Sequence, residues 1–412
     1  MKTRILPLVP LALAVSLAAL VATAEAQQKT WNFGQILHTA LASHPLVLGK
    51  RSAQAAAQSE REGAEWQRYP SLSVEASTQG GGASLLRLEQ PLWNGGRISA
   101  GIDAAGGRLD AAGAAVGEAR QDLALKVIAA TTEALRQQSR QRNGVSSVRE
   151  HEKLLAMIRR RVTQEVSPMA DQQLASSRLL ATENELSATT QALNNALAQL
   201  SQLAGQPVTI VLDQGLHELV APPSLDAALT LALAHAPTLR RLAFEEETAN
   251  AEIASKRSAY MPQLVLRLES STGTLTPERR AMLVLLAQPG AGLSAIAGTD
   301  AAVARREAAR MARAAAERDV RERVALDWNE WQAARLRVEN ASQARAMSTE
   351  VSASYARQYT AGRKTWIDVL NAVREATQSE LAVDDARAQM QAAKLRLRAL
   401  SGTLISAAGT VQ

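Results

Sequence analysis

The feature that most constrains this chain is an internal repeat. Pro45 and Pro70 stand 25 residues apart, and so do Pro237 and Pro262, at an offset of 192. The flanks agree: Leu37, Leu41 and Ala42 precede the first pair as Leu229, Leu233 and Ala234 precede the second. Further along the offset settles near 197. Asp103-Ala104-Ala105 is answered by Asp300-Ala301-Ala302, Asp171 by Asp368, and Leu203-Ala204-Gly205 by Leu400-Ser401-Gly402. Gln90-Pro91 is answered by Gln288-Pro289. The change of offset is expected where residues 272–279 lengthen a loop in the second copy. An ordered series of this length means two copies of one structural unit. The expected bounds are 27–205 and 224–402, with a linker at 206–223 and a tail at 403–412.

Each copy reads the same way. A short amphipathic helix (32–43, then 224–235) stops before a proline, and a second helix follows (45–67, then 237–258). Two short strands come next, at about 71–78 and 83–93, then 262–271 and 281–289. A very long helix (98–163, then 293–359) leads through a turn to a last helix (168–203, then 364–400). Leu179, Leu186, Leu193 and Leu200 recur every seven residues, as do Ala376, Val383, Met390 and Leu397, which is a coiled-coil seam. At 1.5 Å per residue the long helices would each span about 100 Å. A tube or rod needs that length; a globular domain does not. Alanine-rich, aromatic-poor composition suits such close-packed helices.

The strands alternate. Ser71 to Ser77 reads Ser-Leu-Ser-Val-Glu-Ala-Ser, and Leu264, Leu266 and Leu268 interleave with Val265, Arg267 and Glu269. Alternating segments of about 10 residues are the mark of a transmembrane barrel, apolar toward lipid and polar toward the lumen. Four strands cannot close one, since the smallest have about eight. Identical chains must then share a barrel, and three protomers of four strands give twelve. Trp66, Tyr69, Trp93 and Tyr260 fall at helix–strand junctions, where an interfacial aromatic belt would sit.

The N-terminus supplies the route to a membrane. Lys2 and Arg4 precede an apolar run over residues 5–22, and Ala24-Glu25-Ala26 offers a cleavage site. Residues 1–26 therefore read as a signal peptide. Its removal takes away two cations and one anion, so the charge of +6 becomes +5. No later apolar run reaches the roughly 20 residues of a membrane helix, so any spanning structure must be a barrel. There is no cysteine, which excludes disulfides, thiolate chemistry and lipoprotein acylation. The sequence pI of about 9.8 reads as solvated helix faces, and export argues against a nucleic-acid partner.

Two stretches carry a family resemblance. Leu88-Glu89-Gln90-Pro91-Leu92-Trp93-Asn94-Gly95-Gly96-Arg97 is similar to the strand-exit motif of the TolC-type outer-membrane efflux and type I secretion channels. Tyr359-Thr360-Ala361-Gly362-Arg363-Lys364-Thr365-Trp366-Ile367-Asp368-Val369-Leu370-Asn371-Ala372 resembles the same family's hairpin at the periplasmic tip. With the duplicated helices ending at Pro45 and Pro237, the likeness runs over essentially the whole mature chain. It implies a mainly α fold with a small β part. It also implies a homotrimeric helical tunnel, a shared twelve-stranded barrel and an equatorial region fed by 206–223. The implied partners are a periplasmic adaptor and an inner-membrane ABC or proton-driven transporter. Asp368 would form the carboxylate ring nearest the tunnel axis, with Asn371 at the next ring position in place of a second acid. Tyr359 and Lys364 would hold the closed state by links to the first hairpin, where Asp171 is the matching acid and Ala170 offers no hydroxyl.

Other chemistry is absent from the sequence. His38, His44, His151, His217 and His235 show no metal-binding spacing, and Gly80-Gly81-Gly82 lacks the lysine of a phosphate loop. Arg159-Arg160-Arg161 reads as a solvated helix end, with an acidic partner as the alternative. No catalytic, cofactor or metal site is expected. The competing reading is a periplasmic coiled-coil adaptor, but that does not call for duplicated strand pairs with lipid-like faces. The cargo cannot be read from a duct.

Overall fold

A computed structural model describes residues 30–76, 84–212, 219–272, 278–287 and 294–404. The signal peptide, the turn glycines Gly80 to Gly82, His217, the Gln288-Pro289 match and most of the C-terminal tail lie outside these residues.

The repeat is visible in the element order. In the first copy, α1 (Phe33–Ser43) and α2 (Pro45–Trp66) precede β2 (Ser71–Ala76) and β3 (Ser84–Trp93), then α3 (Arg97–Thr163) and α4 (Met169–Ala204). In the second, α5 (Leu225–His235) and α6 (Pro237–Arg257) precede β5 (Gln263–Thr272) and β6 (Glu278–Leu286), then α7 (Ser294–Thr360) and α8 (Trp366–Leu400). Local chemistry sets these ends. Asn32 caps α1 with a reciprocal box to Gln35, and Ser224 caps α5. Pro45 and Pro237 each take the first position of the next helix, where a missing N–H does no harm. The expected longer loop at residues 272–279 is not there: β5 runs to Thr272 and β6 begins at Glu278, so this connection is shorter than that between β2 and β3, and added residues lengthen β5 instead.

Two small elements were not foreseen. β1 (Thr30–Asn32) pairs in parallel with β4 (Ile210–Leu212), which places the inter-repeat segment against the chain's start. Around this pair lies the largest core, built by Trp31, Phe33, Ile36 and Leu37 with Leu123, Val127 and Ile128 of α3, Leu200 of α4 and Leu395 of α8. Both repeats thus meet at mid-height.

The helices form two antiparallel hairpins, α3/α4 and α7/α8, joined along α3 and α8. The near half of α3 also carries α2 and α6. Glycine permits that closeness: a Cβ at Gly107 would lie 2.4 Å from the Thr248 hydroxyl and 3.3 Å from the Phe244 carbonyl oxygen. Among the described residues no helix is long and apolar enough to cross a membrane.

Candidate functional site

The four long strands make one antiparallel sheet in the order β2-β3-β5-β6. β3 pairs with β5, so the two repeats are fused through the sheet, and β2 and β6 are its edges. Residues directly opposite one another share a face. One face collects Leu72, Val74, Leu86, Leu88, Leu266, Leu268, Leu283 and Leu285. The other carries Arg87 opposite Glu269 and Glu89 opposite Arg267. These opposite charges pair, Arg87 Nε to Glu269 Oε1 at 2.9 Å and Arg267 Nε to Glu89 Oε1 at 2.7 Å.

The exposure of the two faces is inverted relative to a water-soluble sheet. Leu72, Val74, Leu283 and Leu285 are 64%, 69%, 66% and 68% exposed, while the charged face is half-buried. An exposed apolar patch of this extent marks a surface that meets something other than water. The four junction aromatics stand at the sheet's helical end. Trp66 and Tyr69 lean together with ring centres 5.3 Å apart, and both are exposed. Trp93 closes β3. The Tyr260 hydroxyl reaches the Ala295 carbonyl oxygen at 3.0 Å and the Thr299 hydroxyl at 2.8 Å, tying the sheet entry to the start of α7.

At the far end of the hairpins the tip is built from two different turns. After α3 the Val166 and Ser167 N–H groups both donate to the Arg161 carbonyl, at 2.8 and 3.3 Å. This turn holds Glu165 at a φ of 59°, in the left-handed region that a non-glycine residue rarely adopts. After α7 the left-handed position is Gly362, where it carries no strain. Pro168 opens α4 without a side-chain cap, whereas Thr365 opens α8 with one.

That difference separates the two matched acids. Asp171 and Asp368 occupy the same third position of their helices, but only Asp368 has a hydroxyl to answer. Its Oδ2 accepts from the Thr365 N–H at 3.0 Å and from the Thr365 hydroxyl at 2.8 Å. These hydrogen bonds hold the Asp368 carboxyl below the usual carboxylate range. Asn371 lies one turn further along α8 and is exposed.

The link between the hairpins differs from the expectation. Tyr359 is buried in a tip core with Trp366, Val369, Leu370, Leu154, Leu155 and Ile158. Its hydroxyl lies 3.4 Å from Ser167 Oγ, not at Asp171. Arg161 stacks over the Tyr359 ring at 4.7 Å and donates to Ser167 at 3.4 Å. So one of the three tip arginines packs into the contact between the hairpins and is not a solvated helix end; Arg159 and Arg160 remain exposed. Lys364 sits 4.3 Å from the centre of the Tyr355 ring, within its own hairpin. Among the described residues no ion pair joins it to the first hairpin.

Sequence reasoning also missed a second tie, about a third of the way up. Asp385 of α8 accepts from Arg136 at 3.4 Å and from Arg140 at 2.6 Å, both on α3. Its neighbour Asp384 accepts from Asn143 at 2.6 Å, and burial raises the pKa of that carboxyl. The signal was present as an acid doublet on one helix and two arginines one turn apart on another, but such residues ordinarily read as a solvent face.

The sequence profile described as "Outer membrane efflux protein" matches residues 36–206 and 228–403, one match for each repeat. The fold is similar to the outer-membrane channel OprN, at a TM-score of 0.79 and 16% identity over 90% of this chain and 90% of that one. It is similar to the outer membrane protein VceC from Vibrio cholerae, at 0.78 and 16% over 90% of this chain and 96% of that one. The open state of the Neisseria gonorrhoeae MtrE outer membrane channel matches at 0.74 and 16% over 90% of this chain and 89% of that one. No match is found among curated protein sequences. With both repeats covered by one profile, this chain belongs to the outer membrane efflux protein family, whose place is the outer membrane.

Proposed function

We propose that three copies of this chain form an exit duct through the outer membrane. The observation that carries this reading is the open sheet with an exposed leucine face, a charged opposite face and two edges that have no partner strand among the described residues. In lipid every backbone polar group needs a partner, so such a sheet must close on itself or on copies of itself. Four strands are too few to close alone. Pairing β6 of one protomer with β2 of the next extends the same antiparallel order to twelve strands, three times four. The leucine face then meets lipid and the Arg–Glu ladder lines the lumen. Trp66, Tyr69, Trp93 and Tyr260 become the belt at the periplasmic boundary.

The helical hairpins continue the duct into the periplasm, and their tips are its inner end. Asp368 and Asn371 of three chains line the constriction there, with Tyr359, Ser167 and Arg161 holding the hairpins together. An inner-membrane ABC or proton-driven transporter, joined through a periplasmic adaptor, delivers the cargo. The duct itself performs no chemistry and needs no cofactor. The alternative role as an adaptor is not favoured, since it gives no reason for a lipid-like sheet face.

Membrane fractionation and bilayer recording test the reading. The mature chain is expected in the outer membrane as a detergent-extracted trimer that conducts ions. A monomer that stays in the aqueous phase without detergent would refute it.

A further inference from the structure

Between the Asp385 tie and the tip core, the packing of α3, α4 and α8 opens into a groove of about 230 Å³. It is lined by His151 of α3, Arg178 and Glu185 of α4, and Asn371, Arg374 and Gln378 of α8, among others. The two guanidiniums come from different repeats, and neither forms an ion pair among the described residues. Both arginines are exposed, so their guanidiniums are open to solvent and to a solute entering the groove. Glu185 shares the groove yet pairs with neither arginine. His151 Nδ1 lies 2.9 Å from the Ser147 carbonyl oxygen, which fixes that nitrogen as a donor to its own helix.

We propose that this groove binds a small oxyanion, of the phosphate or carboxylate class, between Arg178 and Arg374. A guanidinium offers a planar fork of N–H donors that matches such an anion. The groove is large enough for one with its bridging waters, at roughly 30 Å³ per water. The asparagine and glutamine amides of α8 supply further donors, and Glu185 opposes the charge. Because Arg178 stands on one hairpin and Arg374 on the other, the anion bridges them. A ligand that binds only the closed arrangement shifts the population toward it. Arg374 is one helical turn from Asn371, so the bridge acts next to the constriction. This gating consequence rests on the reading of the tips as the inner end of the duct.

The test uses the full-length detergent-solubilised protein. Calorimetric titration with sodium phosphate and, separately, with sodium succinate is expected to give saturable binding to at least one, and which one binds tighter identifies the class. Sodium chloride at matched ionic strength is expected to give none. Arg178→Gln and Arg374→Gln should each weaken binding about tenfold or more. Arg374→Lys should retain part of it, and Glu185→Gln should strengthen it. Glu185→Gln keeps the test open should the arginine variants fail to assemble. Binding of neither oxyanion, binding unchanged in the double Arg→Gln variant, or weaker binding in Glu185→Gln overturns the site. In bilayers the conductance of the wild type should fall as the bound oxyanion is added at constant ionic strength. Binding with no change in conductance overturns the bridge as a gate. Absence of any channel in the wild type refutes the duct and leaves the binding result standing.

Discussion

Asp385 and Arg140 face each other at 2.6 Å across the boundary between the two repeats, with Arg136 as a second donor. All three side chains are about 30% exposed, so solvent screens the pair and its contribution to stability is modest, about 1 kcal/mol or less. Its larger effect is on geometry, because it fixes α8 against α3. Asp385→Asn is expected to lower the thermal midpoint only slightly while raising the open fraction in bilayer recordings. A variant that conducts as the wild type does would mean that the tie is structural only.

The tip lock predicts a coupled pair. Tyr359→Phe and Ser167→Ala each remove one partner of the 3.4 Å contact and should each cost about 0.5–1.5 kcal/mol. Because both remove the same contact, the double variant should be little worse than either single one. A double-mutant cycle on thermal or denaturant unfolding measures the coupling; full additivity would refute the contact.

The sheet predicts opposite outcomes at adjacent positions. Leu283 lies on the leucine face and Met282, opposite Arg267, on the charged one. Leu283→Arg should cost about 2–4 kcal/mol where the strand crosses the bilayer centre. It should sharply reduce the trimer recovered from outer membranes. Met282→Glu places a carboxylate beside a guanidinium and should leave trimer yield close to the wild type.

The cap of α8 predicts a pH dependence of definite sign. The Asp368 carboxyl is held below its ordinary value of 3.8 by the Thr365 N–H and hydroxyl. A carboxyl depressed by folding adds stability above its unfolded pKa and loses it as pH falls through the folded value. The Thr365→Ala defect should therefore be constant near neutral pH and shrink below about pH 4. Unfolding midpoints of wild type and variant across that range check this. A defect that grows in acid would refute it.

Much of the fold was legible because the duplication testifies twice. Each strand and helix of the first copy had a counterpart to fix its type, and the proline pairs fixed the starts of α2 and α6. β1 and β4 were not legible. Three-residue strands have no periodicity, and their pairing joins residues about 180 positions apart. At the tip, Thr365 and Asp368 carry the spacing of a helix cap, so the acid's local role could be read. The partner of Tyr359 could not: Ser167 lies in a turn whose path depends on the strained backbone of Glu165. The groove of Arg178 and Arg374 was equally hidden, since three helices from both repeats must converge before it exists.

The inverted sheet has a consequence for biogenesis. A protomer with leucine outward and two bare strand edges has no favourable resting state in the aqueous periplasm, where those edges would recruit any passing strand. In the proposed trimer, its last folding step and its meeting with sister protomers are therefore a single event. Channel yield should depend steeply on the local supply of exported chain and on escort proteins that cover the hairpins in transit.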